Sequence, residues 1–237
     1  MRLLLASLFV MLLGGCASEP LVMRFDPGQI TTGQKLYFPP LTDEEVPRYV
    51  YIGELTGEKN FVEREGKEKS RIVEVLKWIA GMFDVADPVV LQRPQSGVVD
   101  QNGRILVTDC SRSAVFVFDP ANGRLDVWEF AQGFRRFASP SGIALGPAGR
   151  VFVADAELRQ VVTLDPEGNG TVLIDSSQLL RPTGLAWDEK DGLLYVADTQ
   201  AHQIKVFDMT GRRVKVIGRR GEAPGEFNFP TFLALSR

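Results

Sequence analysis

Three stretches of this chain repeat one pattern, and that repetition limits the fold more than any other feature. They are PQSGVVDQNGRILVTDCSRSAVFVFD from Pro94 to Asp119, PSGIALGPAGRVFVADAELRQVVTLD from Pro140 to Asp165, and PTGLAWDEKDGLLYVADTQAHQIKVFD from Pro182 to Asp208. The leading prolines recur after 46 and 42 residues. Asp109, Asp155 and Asp198 close the second apolar run of each unit, and Asp119, Asp165 and Asp208 close the third ten residues later. A further unit opens at Pro230 with PTFLALSR.

The second runs, such as Val151-Phe-Val-Ala-Asp, are apolar at consecutive positions rather than alternating. Strands of that kind are buried on both faces. Further strands fit at 125–130, 171–175 and 213–217, each after a glycine turn. Each unit then holds four antiparallel strands, the size of one propeller blade, and sheets covered by copies of themselves form a propeller. The expected fold is all-β, with about four four-stranded blades in an incomplete ring over residues 94–237.

The combination P-x-G-[IL]-A, a glycine turn, [LF]-[YF]-V-A-D and a strand closing in Phe-Asp resembles the NHL repeat. The IGRRGEAPGEFNFP stretch at 217–230 is similar to that family's inter-blade linker, and His202 stands at its usual histidine place. The first unit departs from the pattern at Val98-Val99 and Thr108. The resemblance implies a six-bladed ring, which needs about 260 residues at this period, whereas about 190 follow residue 47. The chain therefore reads as truncated at its C-terminus, leaving an open arc; the rival reading is an arc completed by a second polypeptide.

The N-terminus reads as an address. Arg2, the apolar run 3–13 and the small residues Gly14 and Gly15 have the shape of a secretory signal, residues 1–15. LLGGC at 12–16 resembles the bacterial lipoprotein signal, which implies cleavage before Cys16 and acylation of its thiol. Lipid on Cys16 would hold the protein to the cell envelope; the lack of aspartate at 17 favours the outer membrane, facing the periplasm or the surface. Residues 16–47 read as a tether. Residues 48–93 hold a strand at 49–55, a solvated stretch at 54–69 and an amphipathic helix at 67–83, whose stripe is Ile72, Val75, Leu76, Ile79, Met82 and Phe83.

Charge and composition exclude several functions. A net charge of −3 argues against a nucleic-acid partner, and one histidine rules out a multi-histidine metal site within this chain. Two cysteines make no disulfide framework.

The segment leading into each first strand must lie at the same end as the loop between strands two and three. That end is the candidate binding rim: Arg93, Arg112, Arg159, Arg181, Thr183 and His202, interleaved with Asp109, Asp155 and Asp198. The aspartates either cap loops through backbone N–H groups or face a ligand. His202 is either structural or functional. Cys110 reads as a small packing residue, and Trp128 and Trp187 as inter-blade packing. The expected function is a non-catalytic scaffold for a protein, peptide or glycan, without a cofactor. One alternative is a metal-dependent propeller enzyme, lactonase- or lyase-like, with calcium in the channel and its remaining ligands outside this chain. Another is a structural part of an envelope complex.

Overall fold

The computed structural model describes residues 21–26, 35–40, 46–64 and 88–236. Cys16 and the expected helix at 67–83 lie outside the described residues.

Three four-stranded antiparallel sheets follow one another along the chain, each with its strands in sequence order. The first comprises Pro94–Val99, Ile105–Asp109, Ala114–Asp119 and Arg124–Trp128. The second comprises Pro140–Leu145, Val151–Asp155, Gln160–Leu164 and Gly170–Ile174. The third comprises Pro182–Asp188, Leu193–Asp198, Gln203–Phe207 and Arg213–Ile217. They stack face to face as propeller blades. Leu106, Val117, Ile143, Val153 and Leu164 fill the space between the first two. Phe152, Ile174, Leu185, Val196 and Phe207 fill the next. This is why the second and third strands carry apolar residues at successive positions: each face meets a different neighbour. Ala114–Asp119 is buried at all six residues.

The first strands line the inner edge and approach closely. A Cβ on Gly142 would stand 2.3 Å from the carbonyl oxygen of Thr183, and one on Gly184 would stand 2.4 Å from that of Thr231. Only glycine permits that backbone separation. Thr231 and Phe232 approach Gly184 of the third blade as Thr183 approaches Gly142 of the second, but residues 230–236 form no strand. The described part thus holds three complete blades and the approach to a fourth position.

Two features were not expected. The outer strand of the first blade ends at Trp128, and Phe130–Gln132 pairs with Arg135–Arg136 in an extra hairpin. Its buried Ala131 packs so tightly on the second blade that a Cβ on Gly170 would meet the Ala131 carbonyl oxygen.

The N-terminal segment is also less loose than a tether and a solvated stretch. Val22–Met23 pairs with Phe61–Val62, and Tyr37–Phe38 pairs with Tyr49–Val50. Phe61 is buried and stacks on Phe118 at 6.3 Å; with Met23, Leu55, Val89 and Leu91 it covers the free face of the first blade. Burying a phenylalanine contributes about 2 kcal/mol, which explains why so charged a segment stays down. Buried Asn60 fastens it: its Oδ1 accepts from the Thr56 and Gly57 N–H groups, and its Nδ2 donates to the Arg24 and Glu54 carbonyls.

Candidate functional site

The register fixes which groups share an end. Pro94 pairs with Asp109, Pro140 with Asp155 and Pro182 with Asp198, so the leading segments and the loops between strands two and three meet, as expected. Just after each proline the first strand carries one more residue than its partner. Proline suits that place because it starts the strand and needs no ladder donor. The bulge turns the next residues inward. Gln95, Ser141 and Thr183 all line one pocket.

Beneath the rim, the three aspartates are fully buried. Asp109 accepts from the backbone N–H groups of Gln92, Arg93, Ser111 and Arg112 at 2.6–3.0 Å. Asp155 accepts from Ala138, Ser139, Glu157 and Leu158 at 2.8–3.1 Å. Asp198 accepts from Leu180 and Arg181, and its third donor is the Lys205 Nζ at 2.7 Å. Each carboxylate therefore ties the segment leading into the first strand to the end of the second. Charged acceptors form strong bonds to such donors, and burial makes them costly to lose. These aspartates hold the rim up from below and present no face to a ligand.

Four residues after each aspartate the chain turns left-handed: φ is 51° at Ser113, 57° at Arg159 and 56° at His202. From that position the side chain reaches the segment leading into the following unit. Ser113 Oγ donates to the Ala138 carbonyl at 2.9 Å, and Arg159 donates to the carbonyls of Leu179 and Ser176. The Phe229 N–H donates to His202 Nδ1 at 3.3 Å, and the two rings lie 4.2 Å apart. His202 and Arg159 are thus inter-blade staples. Arg112 likewise turns away, donating to the Val90 carbonyl at 3.1 Å.

Of the candidate rim residues, the structure brings Arg93, Arg181 and Thr183 together. They line a pocket of about 240 Å³ at the inner edge, with Cys110, Ser141 and Gln95. Cys110 is half-buried there and lines the pocket, its thiol 3.6 Å from the Arg93 carbonyl. A signal for Cys110, Gln95 and Ser141 was present in the repeat: they occupy the places after the aspartate and after the proline. The lining contains no carboxylate, and the three buried aspartates have their oxygens engaged by N–H donors. Calcium takes six to eight oxygen ligands with carboxylates among them, so these residues do not fit it.

The opposite end of the blades has a different character. A shallow hollow of about 610 Å³ lies between the first and second blades. Its two arginines are ion-paired: Arg104 with Asp100 at 2.7 Å and Arg124 with Asp126 at 3.0 Å. Arg104 also lies over the Trp128 ring at 5.7 Å, and a Cβ on Gly168 would strike that ring. Trp128 is packed between blades, as is Trp187 against Phe152 at 5.4 Å.

At this end Asp119, Asp165 and Asp208 close the turns after the third strands. The Asn169 side chain, the first of several donors, holds the Asp165 carboxyl below the usual carboxylate range. Thr210, followed by Arg212 and backbone N–H groups, does the same for Asp208. At Asp119 desolvation pushes upward and is outweighed by bonds from Asn122.

The repeats can now be set beside known proteins. Residues 91–118 and 179–207 match the NHL repeat. The first stretch is matched although Val98-Val99 and Thr108 depart from the motif; the second blade, not matched, has the same strands and the same aspartate geometry. The chain is 32% identical to NHL repeat-containing protein 2 of Bos taurus over 37% of this chain and 15% of that protein. It is 27% identical to NHL repeat-containing protein 3 of Mus musculus over 68% of this chain and 49% of that protein. The chain thus spans half or less of these two relatives. Among solved structures, a virginiamycin B lyase from Staphylococcus aureus superposes at a TM-score of 0.45 with 14% identity, over 56% of this chain and 45% of that one.

Proposed function

We propose that this NHL-repeat chain is an envelope lipoprotein, anchored through acylated Cys16, whose propeller is a non-catalytic scaffold. Its ligand is a protein, peptide or glycan, taken at the rim end of the blades. The observation that carries the reading is the division of labour at that end. Buried aspartates and left-handed staples fix the loop backbones, while Arg93, Arg181 and Thr183 remain at the pocket. A scaffold needs rigid loops with side chains left over, and loops on a fixed frame are where binding residues concentrate. The chain's one histidine, His202, accepts a backbone N–H and packs on Phe229.

Two experiments test the two halves. An alkyne-bearing fatty acid fed to cells should label the chain, and Cys16→Ser should abolish the label; equal labelling of both would remove the anchor. For the scaffold, a photo-crosslinking residue is placed at Gln95 on the rim or at Asn102 on the opposite end, in the full chain in its own cells. Specific adducts are expected from Gln95 alone. Adducts from neither position, or from Asn102 alone, would overturn rim binding.

A further inference from the structure

The rim pocket has a chemical bias that names what it takes, granted that the rim is the binding end. Its lining includes two arginines, Arg93 and Arg181, and no carboxylate; the hydroxyls of Ser141 and Thr183 there already donate to the backbone carbonyls of Ala154, Pro182 and Thr231. Among the described residues neither guanidinium has an ion-pair partner. The buried aspartates of the same end are engaged by other donors. Asp109 is saturated by four backbone N–H groups, and Asp198 is bonded to two backbone N–H groups and to Lys205. The arginines of the opposite hollow, by contrast, are ion-paired: Arg104 with Asp100 and Arg124 with Asp126. On a protein of net charge −3, unpaired cations facing one concavity are a local departure that attracts the opposite sign. Arginine presents a planar fork suited to the oxygens of carboxylates and phosphates.

The placement has a backbone cause. Arg93 and Arg181 stand immediately before the prolines, and their own N–H groups are held by Asp109 and Asp198. Their main chains are fixed while their side chains stay free to close on a ligand. The equivalent residue of the second blade is Ser139, which also lines the pocket.

We propose that this pocket receives the anionic group of the ligand, a carboxylate or a phosphate, between the guanidinium groups of Arg93 and Arg181.

Cys110 lines the same pocket and serves as a reporter. Cys16→Ser leaves it the single thiol of the full chain. Calorimetry with inorganic phosphate and with succinate, on that chain at low salt, should show saturable binding of at least one. Phosphate alone identifies the phosphate source, and succinate alone the carboxylate. The bound anion should slow Cys110 modification. A dianionic aromatic disulfide should also outpace a neutral one at Cys110 relative to a free thiol, and Arg93→Gln with Arg181→Gln should cut that preference by about tenfold. If the double variant does not fold, Arg93→Gln alone should lower it in the same direction. Binding of neither anion, or a charge preference unchanged by the variants, overturns the proposal. Should Gln95 still crosslink a partner under that outcome, the scaffold reading stands and the anionic pocket falls; loss of both would reject both.

Discussion

The two ends of each blade are closed by the same residue type, ten positions apart, with unlike consequences. Asp109, Asp155 and Asp198 are buried and join separate segments of chain: Asp155 reaches back 17 residues to Ala138. Asp119, Asp165 and Asp208 close local turns, bonding within four residues. One set decides where loops stand relative to the blade, and the other only finishes a hairpin. An aspartate in a repeat motif therefore has no fixed meaning. Its worth depends on how far along the chain its donors lie and how much water is excluded.

The largest effect should come from Asp155→Ala, which orphans four backbone donors at a buried place. It should destabilise the protein by about 4 kcal/mol, read as a lower urea midpoint at unchanged slope. A loss below that of Asp165→Ala would break the comparison. Lys205→Met comes next, because Asp198 would keep its backbone donors but lose its buried cation. We expect about 3 kcal/mol for that change, and a coupling of about 2 kcal/mol with Asp198→Asn in a double-mutant cycle. Additivity of the two changes would show that the pair contributes no more than its separate bonds.

Asp165→Ala at the far end should cost about 1 kcal/mol, since water replaces what the turn loses. The smallest effect is one of pH. The carboxyls of Asp119, Asp165 and Asp208 are held below their ordinary value in the folded protein, so each contributes fully above about pH 4. That contribution fades as the pH falls through the lower folded value. The urea midpoint should drop between about pH 4 and pH 2, and Asp165→Asn with Asp208→Asn should flatten the slope there. An unaltered profile would remove the far-end set from the acid response.

Much of this contrast was legible in the sequence, because repetition gives every residue two comparators. The strand ends, the shared rim and the option of loop capping all follow from the period. Long-range details were not legible. Phe61 lies in a charged stretch, and nothing near it in sequence announces that it covers Phe118. Lys205 falls in a strand at a place where its counterparts are Phe116 and Val162, and only the fold shows it bonded to Asp198. Arg112 and Arg159 were expected on the rim beside Arg93 and Arg181. Charge alone could not separate them; the turns that aim Arg112 at Val90 and Arg159 at Leu179 did. The pocket lining came from bulges after the prolines, which shift one residue per blade inward and leave no mark in hydropathy.

The left-handed position four residues after each buried aspartate has a consequence for variation. Ser113, Arg159 and His202 are three unlike side chains in one backbone conformation, and each binds only the unit that follows. Rim geometry is thus inherited from a backbone habit rather than from a residue identity. A rim loop can be exchanged as a cassette if its aspartate, its left-handed turn and one partner to the next unit travel with it. New recognition surfaces could then be assembled blade by blade, with each exchange felt by one neighbour and not by the whole arc.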